Sequence, residues 1–272
     1  MSPRTTADYL RLIGVPEMPP RTSPFDPGYD PATVESHIEQ SWHLMSVLKI
    51  SMACWQVAQE ASTRRKVKAA RAHDVPVCTG GGPFEVAATF GTLAEFFDLS
   101  ADIGATRIEA GEGFTEQSLD PAAIVRMAAE RGLDVQYEAG KKHDGTFTPE
   151  IVEELVTEGR RWLDVGAKVI VIEGRESAQN VGLFDDRGRV NARFAERFVE
   201  GFGMDRVVFE APNKPSQFAL MNHFGPTVQI SNVRLEELLR VEIYRRGLHS
   251  DAFEQAKLRP AGPARVAQQV GR

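Results

Sequence analysis

The sequence predicts a parallel α/β protein, a single (β/α)8 barrel (TIM barrel) whose first strand is irregular. Short apolar runs rich in β-branched residues recur along the 272 residues. Each run is followed by a polar loop that contains glycine and then by a stretch with helical character. This alternation is typical of βα units that form a parallel sheet, and α/β barrels of about 250 residues fold as one domain.

Seven apolar runs are predicted to be strands, because parallel strands are covered by helices on both faces and read as nearly continuous apolar segments. These runs are Leu44–Ser51, Val75–Gly80, Ala105–Gly111, Asp134–Gly140, Ala167–Gly174, Asp205–Pro212 and Thr227–Val233. A closed barrel needs an eighth strand, and the only room for it is Arg21–Gly28, where prolines weaken the strand character. An open doubly wound sheet is the alternative, but no GxGxxG motif follows the first strand and the strand count favours closure.

Helical stretches fill the intervals between the strands. The predicted helices are Ala32–Trp42, Gln56–His73, Thr92–Ile103, Pro121–Arg131, Pro149–Val165, Asn191–Gly201, Ser216–Phe224 and Leu235–Arg246. Pro121 and Pro149 lie in first turns, which favour proline. Gly104, Gly132 and Gly166 follow helical runs, where a left-handed residue commonly ends a helix. These prolines and glycines at helix ends therefore agree with the strand assignment.

Composition and charge limit the classes of function. The formal net charge is −6, so the chain lacks the dense basic patches with which proteins bind nucleic acid. Two cysteines are too few for a disulfide framework, and no Cys/His cluster has zinc-ligand spacing. No secretory signal or membrane-spanning apolar run is present. We therefore expect a cytoplasmic protein that binds neither nucleic acid nor membranes, with one domain over residues 1–257 and a frayed extension over 258–272.

Charged side chains follow consecutive predicted strands at the end where the active sites of α/β barrels lie. They are Glu109, Glu138, Glu173 and Glu210, interleaved with Lys141, Lys142, Arg175 and Lys214. A single charged residue at a strand end is more often solvated or part of a structural ion pair, but four carboxylates in register indicate function. Carboxylates hold Mg²⁺, whereas ammonium and guanidinium groups bind phosphate or carboxylate. The pattern predicts a magnesium-assisted reaction on a small phosphorylated acid, with the four glutamates as the pool of metal ligands.

Other strand ends contribute candidates for substrate binding. Lys49 follows the second predicted strand, Gly80 and Gly81 follow the third, and Ser231 and Asn232 end the eighth, where barrels often bind phosphate. The guanidinium of Arg175 would bind a phosphate or carboxylate group with two hydrogen bonds, and Lys214 would add a point charge.

Five segments at these strand ends resemble the phosphosulfolactate synthase family, and the likeness covers roughly residues 20 to 253. The segments are Gly80–Glu85, Glu138–Lys142, Ile172–Ser177, Phe209–Lys214 and Arg245–Leu248. The resemblance implies a (β/α)8 barrel and an enzyme of the carbon–sulfur lyase class, which adds sulfite to phosphoenolpyruvate with the help of Mg²⁺ in coenzyme M biosynthesis. It also implies a homo-oligomer.

On that substrate, a nucleophile adds to the methylene carbon only if the carboxylate accepts the developing charge, and Mg²⁺ would supply the polarisation. A lysine desolvated between charged neighbours would then protonate the adjacent carbon. Lys142 and Lys141 are the candidates for this acid, and Glu176 completes the predicted catalytic set.

The chain departs from the family pattern on the side of the first two strands. Asp26-Pro27-Gly28 stands where the family has Asp-Lys-Gly, and Lys49–Cys54 replaces Lys-Phe-Gly-Trp-Gly-Thr. After strand four, Glu112 stands where the family has Asp. Two alternatives therefore stay open: a paralogue that uses another nucleophile or another phosphorylated three-carbon acid, and a non-catalytic binding protein. The retained charges argue against the second, because buried charges are unfavourable unless they are needed.

Overall fold

The computed structural model describes residues 5–115, 119–142 and 145–262, and these residues form a closed barrel of eight parallel strands. The strands follow chain order around the barrel, and β8 closes onto β1. They are β1 (Thr22–Asp26), β2 (Leu48–Ile50), β3 (Val77–Thr79), β4 (Arg107–Gly111), β5 (Asp134–Ala139), β6 (Ile170–Ile172), β7 (Val207–Glu210) and β8 (Gln229–Arg234). The predicted fold class is confirmed, and the predicted apolar runs contain the strands from β2 to β7.

Helices surround the barrel and connect successive strands. They are α1 (Thr6–Leu12), α2 (Pro31–Ser41), α3 (Cys54–Val57), α4 (Glu60–Arg71), α5 (Gly81–Phe90), α6 (Leu93–Asp102), α7 (Pro121–Ala129), α8 (Pro149–Asp164), α9 (Ala192–Phe202), α10 (Lys214–Phe224), α11 (Leu238–Arg245) and α12 (Ser250–Phe253). Single 3₁₀ turns occupy Trp42–Leu44 and Leu235–Glu237. In the described part of the chain, no helix has the length and apolar character needed to cross a membrane.

The first strand is irregular, as predicted. β1 contains Pro24, which has no N–H group to donate to a neighbouring strand. The pairing of β1 with β8 shifts register between Thr22 and Pro24, and the hydroxyl of Ser23 donates to the carbonyl of Val47 at 2.9 Å. All five residues of β1 are buried. Burial and pairing with β2 and β8 therefore stabilise the strand, although Pro24 interrupts its hydrogen bonds with β8.

The helix assignment was wrong in two places. No helix was predicted between Gly80 and Thr92, but α5 begins at Gly81, because Phe84 and Ala87 are buried in the core and their burial offsets the low helix propensity of glycine. The predicted helix Gln56–His73 is two helices, since Ala58 adopts an extended conformation with ψ of 163° between α3 and α4.

The described part of the C-terminal extension is packed against the barrel rather than frayed. Leu258 is buried, and the backbone N–H of Ala261 donates to the carbonyl of Gly14 at 3.3 Å. Residues 263–272 lie outside the described residues. The division of the chain at residue 257 stays a prediction.

A buried arginine joins α11 to the amino-terminal ends of β1 and β8. The side chain of Arg245 is fully buried, and its guanidinium lies 3.0 Å from the Glu242 carboxylate. It also donates to the carbonyls of Pro226 and Val228 at 2.6 and 2.7 Å, and to the hydroxyl of Thr22 at 3.0 Å. The buried charge is thus paired and hydrogen-bonded, which is the condition under which burial of a charge is tolerated.

We expect Arg245→Met to lower the free energy of unfolding by about 3–5 kcal/mol, because the substitution removes the more deeply buried of the two arginines that pair with Glu242, and with it the donor to the carbonyls of Pro226 and Val228. Arg161→Met is the matched control, since Arg161 also pairs with a glutamate three residues before it but is 60% exposed. Loss of that exposed pair should change stability by less than about 1 kcal/mol. Urea unfolding at neutral pH measures both variants, and equal midpoints would contradict this account of the Arg245 network.

Candidate active site

A cavity of about 840 Å³ opens at the carboxyl ends of the strands. Most of the residues predicted to form the site line it, namely Lys49, Gly80, Gly81, Glu109, Glu138, Lys142, Glu173, Arg175, Glu176, Glu210 and Asn232. Parallel strands of a barrel present their carboxyl ends to one rim, so residues distant in the sequence meet there. Three predicted residues, Lys141, Lys214 and Ser231, do not line the cavity.

Four glutamates lie on consecutive strands at the floor of this cavity. Glu109 belongs to β4, Glu138 to β5 and Glu210 to the end of β7, whereas Glu173 directly follows β6. None of the four is more than 3% exposed. Their burial side by side is electrostatically unfavourable unless cations and N–H donors compensate the charge.

Three of these carboxylates form a cluster that fits a divalent cation. One oxygen from each of Glu138, Glu173 and Glu210 lies within 4.8 Å of the others. Oε2 of Glu173 is buried and accepts no hydrogen bond. Burial, together with the charges of Glu138 and Glu210, raises the pKa of Glu173 to about 10. Carboxylate oxygens are the ligands that Mg²⁺ prefers, so a cation would coordinate the oxygen that accepts no hydrogen bond and would offset the repulsion among the three carboxylates.

The fourth glutamate is held by protein groups instead. Oε1 of Glu109 lies 2.7 Å from Nζ of Lys49 and accepts from the backbone N–H of Gly81 at 2.9 Å. Its other oxygen accepts from the side-chain amide of Gln136 at 2.8 Å. Both oxygens of Glu109 therefore have protein partners, and Glu109 lies outside the three-carboxylate cluster.

The ammonium of Lys49 offsets the negative charge of two carboxylates from inside the barrel. It lies on β2, is buried, and its Nζ is also 3.3 Å from Oε1 of Glu210. Burial lowers the pKa of Lys49, but the attraction of Glu109 and Glu210 outweighs it and holds the pKa well above its usual value. Lys49 is thus a permanent cation within the floor.

Lys142 reaches the three-carboxylate cluster from the rim. Its Nζ lies 3.4 Å from Oε2 of Glu138 and 3.5 Å from Oε2 of Glu173. Burial lowers the pKa of Lys142, but the attraction of these two carboxylates outweighs it and leaves the pKa above its usual value. Lys141, the other candidate acid, is exposed and lies outside the cavity lining.

The turn after β6 binds two of the carboxylates through its backbone. The N–H of Gly174 donates to Oε2 of Glu210 at 3.0 Å, and the N–H of Arg175 donates to Oε1 of Glu173 at 2.6 Å. Arg175 has a φ of +53°, a left-handed conformation that is unusual for a residue with a side chain. Its guanidinium donates to the carbonyl of Lys142 at 2.9 Å. The Glu-Gly-Arg segment therefore orients the carboxylates and ties two rim loops together.

Gly81 permits the close approach of α5 to the floor. A Cβ atom at this position would lie 3.1 Å from Oε2 of Glu138 and 3.3 Å from Oε1 of Glu109. Both contacts are with the carboxylates that define the site, so a side chain would displace them. The glycine-rich start of α5 is thus a packing requirement of the glutamate cluster.

The candidates for phosphate binding are dispersed. Lys214 begins α10, where its Nζ lies 3.3 Å from a carboxylate oxygen of Asp251, and it is half-exposed away from the cavity. Ser231 and Asn232 lie inside β8, which continues to Arg234, and do not end the strand as predicted. The buried side-chain oxygens of Ser231 and Asn232 accept or donate no hydrogen bond in the described structure. A phosphate site at these residues stays a prediction.

Sequence reasoning missed an apolar wall on one side of the cavity. Met52, Val86 and Phe114 line it, and each is close to half-exposed at 49%, 48% and 46%. Only charged, polar and glycine residues were proposed as site residues at the strand ends. Met52, three residues after Lys49, was readable by the same strand-end rule. Val86 was missed because no helix was predicted between Gly80 and Thr92, where α5 lies.

The chain matches a known family over most of its length. The family model described as (2R)-phospho-3-sulfolactate synthase (ComA) matches residues 16–251. The phosphosulfolactate synthase of Methanothermobacter thermautotrophicus is 30% identical over 241 residues, which cover 87% of this chain and 92% of that protein. The phosphosulfolactate synthase of Bacillus subtilis is 26% identical over 190 residues, covering 69% and 75% of the two chains.

Solved structures share the architecture at low sequence identity. The 3-dehydroquinate dehydratase of Enterococcus faecalis has a TM-score of 0.52 and 12% identity, with 84% of this chain and 94% of that chain covered. This likeness concerns the barrel alone. The family model matches most of the chain, and a phosphosulfolactate synthase is 30% identical to it over most of both proteins. The chain therefore belongs to the phosphosulfolactate synthase family.

Proposed function

We propose that the protein is a phosphosulfolactate synthase, an enzyme of the carbon–sulfur lyase class that adds sulfite to the methylene carbon of phosphoenolpyruvate. The observation that supports this most directly is the approach of the Lys142 ammonium to Glu138 and Glu173, two members of the cluster of three buried carboxylates. Relatives over most of the chain carry the name of this activity. We further propose that the enzyme acts in the cytoplasm as a homo-oligomer, as the family resemblance implies.

Glu138, Glu173 and Glu210 would hold Mg²⁺, because their oxygens are close together and one of them, Oε2 of Glu173, accepts no hydrogen bond. When bound there, Mg²⁺ supplies positive charge that stabilises the ene-diolate form of the substrate carboxylate. Lys49 would orient this cluster from inside the barrel, since it pairs with Glu210, and Glu109 would hold Lys49 in place.

Arg175 would bind an anionic group of the substrate. Its side chain is exposed to the cavity, and its guanidinium makes one hydrogen bond, to a backbone carbonyl, and no ion pair among the described residues. The remaining N–H groups of a guanidinium suit a phosphate or carboxylate, which accept two parallel hydrogen bonds. Arg175 therefore offers the substrate a positive charge, because its guanidinium forms no ion pair with a described residue.

In the proposed reaction, the sulfur lone pair of sulfite forms a bond to the methylene carbon of phosphoenolpyruvate. The π electrons of the double bond move through the adjacent carbon into the carboxylate. Lys142 then donates a proton from Nζ to that adjacent carbon, the electron pair returns from the carboxylate, and the phosphate ester stays intact. Despite burial, the attraction of Glu138 holds the pKa of Lys142 above its usual value, so the acid is protonated before the nucleophile adds.

A second candidate, addition of a different nucleophile to the same acid, is favoured by one observation. The side chains of Met52, Val86 and Phe114 give the cavity an apolar wall, and apolar walls usually contact apolar parts of a ligand. Sulfite has no such part, whereas an organic thiol does.

Consumption of phosphoenolpyruvate by the purified protein, with Mg²⁺ and with or without sulfite, separates these candidates. Sulfite-dependent formation of phosphosulfolactate, detected by mass, is the expected result, and removal of the metal with a chelator should abolish it. Binding of phosphoenolpyruvate without sulfite-dependent turnover would reject sulfite and favour the second candidate.

We expect Lys142→Ala to lower kcat by about 10²–10⁴-fold, because general acid catalysis contributes rate factors of that size. Lys168→Ala is the control, since Lys168 is exposed and pairs with Asp134 at the start of β5. Steady-state kinetics under saturating substrate measures the effect. A loss in Lys141→Ala, with full activity in Lys142→Ala, would assign the acid to Lys141.

We expect Glu173→Gln to weaken Mn²⁺ binding by at least about tenfold, as the loss of groups that hold or orient a metal does. The same substitution should leave the metal-free protein at least as stable, because it removes one of three crowded carboxylates. Titration calorimetry and thermal unfolding provide the two measurements, with Glu130→Gln on the exposed end of α7 as control. Unchanged Mn²⁺ affinity would exclude Glu173 from the metal site.

A further inference from the structure

Glu85 is a buried carboxylate to which the proposed reaction assigns no role. It lies on α5 and is fully buried. Its Oε2 accepts the backbone N–H groups of Phe114 and Thr115 at 2.9 and 3.0 Å, and the hydroxyl of Thr115 at 3.0 Å. Its Oε1 is buried and accepts no hydrogen bond. A buried carboxylate without a paired cation is unfavourable, so its presence indicates a requirement of the loop that it binds.

The loop bound by Glu85 is in direct contact with Lys142. The carbonyl of Gly113 accepts the backbone N–H of Lys142 at 2.8 Å. A Cβ atom on Gly113 would lie only 2.8 Å from Cε and 3.2 Å from Cγ of Lys142, and 3.2 Å from Oε1 of Glu85. The stem of Lys142 therefore passes directly over Gly113, and Glu85 lies at the same glycine.

The ion pairs of Lys142 alone would place its ammonium only loosely. The distances from Nζ to Glu138 and Glu173 are 3.4 and 3.5 Å, whereas charge-assisted hydrogen bonds in proteins are about 2.7–2.9 Å long. A lysine side chain is also a flexible four-carbon stem. Contacts along that stem and at its backbone are needed to hold Nζ in one position, and the backbone is tied on one side by Gly113 and on the other by Arg175.

We propose that Glu85 is a positioning residue for Lys142. Its carboxylate fixes the segment Gly113–Thr115, and that segment fixes the backbone and the aliphatic stem of Lys142. The ammonium is thereby held between Glu138 and Glu173, facing the cavity. The use of Lys142 as the acid rests on the proposed function, whereas the positioning itself rests only on the contacts described.

A carboxylate suits this task better than a neutral side chain. Two backbone N–H groups and one hydroxyl converge on a single oxygen of Glu85, and an ionised carboxylate accepts several hydrogen bonds at once. Glutamine in its place would keep one acceptor oxygen for the N–H groups of the loop. Its amide nitrogen would replace Oε1, which accepts no hydrogen bond among the described residues.

Three variants test the proposal kinetically. Glu85→Ala should lower kcat by about 10²-fold with the KM for phosphoenolpyruvate nearly unchanged, because a displacement of about 1 Å in a catalytic group has effects of that size. Glu85→Gln should recover a large part of this loss, since it keeps the acceptor oxygen. Gly113→Ala should reproduce the loss while Glu85 is intact, because the added methyl group displaces the lysine stem.

Asp30→Ala is the matched control for loss of a carboxylate that caps a backbone. Asp30 also accepts two backbone N–H groups and one threonine hydroxyl, from Ala32 and Thr33, but it is exposed at the start of α2. This variant should lose thermal stability and keep its kcat. If Glu85→Ala does not fold, Gly113→Ala and Glu85→Gln decide the outcome.

A second readout does not depend on turnover. Trace acetylation followed by mass spectrometry measures the reactivity of Lys142 relative to the exposed Lys168. Glu85→Ala and Gly113→Ala should raise this ratio several-fold, whereas Asp30→Ala should leave it unchanged. An unchanged ratio and unchanged kcat in folded Glu85→Ala would overturn the proposal. If the wild-type protein shows no sulfite-dependent turnover, the proposed function fails, and the acetylation ratio still decides whether Glu85 positions Lys142.

Discussion

The structure of the site depends on burying four carboxylates at one end of a barrel. Carboxylates brought this close repel one another and lose hydration, so they are stable only where cations and N–H donors face them. Lys49 joins Glu109 to Glu210 from within the barrel, and Lys142 faces Glu138 and Glu173 from the rim. The compensation is incomplete at the three-carboxylate cluster, which is where the structure favours a cation.

Backbone geometry around the rim follows from the same constraint. Amide groups at Gly81 and Arg175 donate to Glu109 and Glu173 directly, which requires the chain to approach the carboxylates without an intervening side chain or to adopt a left-handed conformation. Glu85 extends this arrangement outward by binding the loop that contacts Lys142. Functional side chains are therefore held by rigid elements and by other buried groups, which is the condition for precise catalytic geometry.

Several elements were predictable because they depend on local pattern. The alternation of apolar runs and helical stretches predicted the barrel, and the prolines in the first run predicted its irregular strand. The strand-end rule identified the glutamates and Lys142. The rule failed for Lys214, because a residue that begins a helix after a strand can point away from the rim and pair with a distant side chain, here Asp251. Helix α5 was missed since its stability comes from burial of Phe84 rather than from propensity.

The sequence by itself determined the fold class, the family resemblance and the set of charged residues at the strand ends, because periodicity and short motifs are properties of neighbouring positions. Only the tertiary structure decided which of these charges are paired. Glu109 and Lys49 neutralise each other across two strands, Lys142 is turned into the cavity while Lys141 is exposed, and Glu85 acts on a loop that follows another strand. Such pairings depend on barrel register and on close packing between segments far apart in the chain, and neither is encoded in a local pattern.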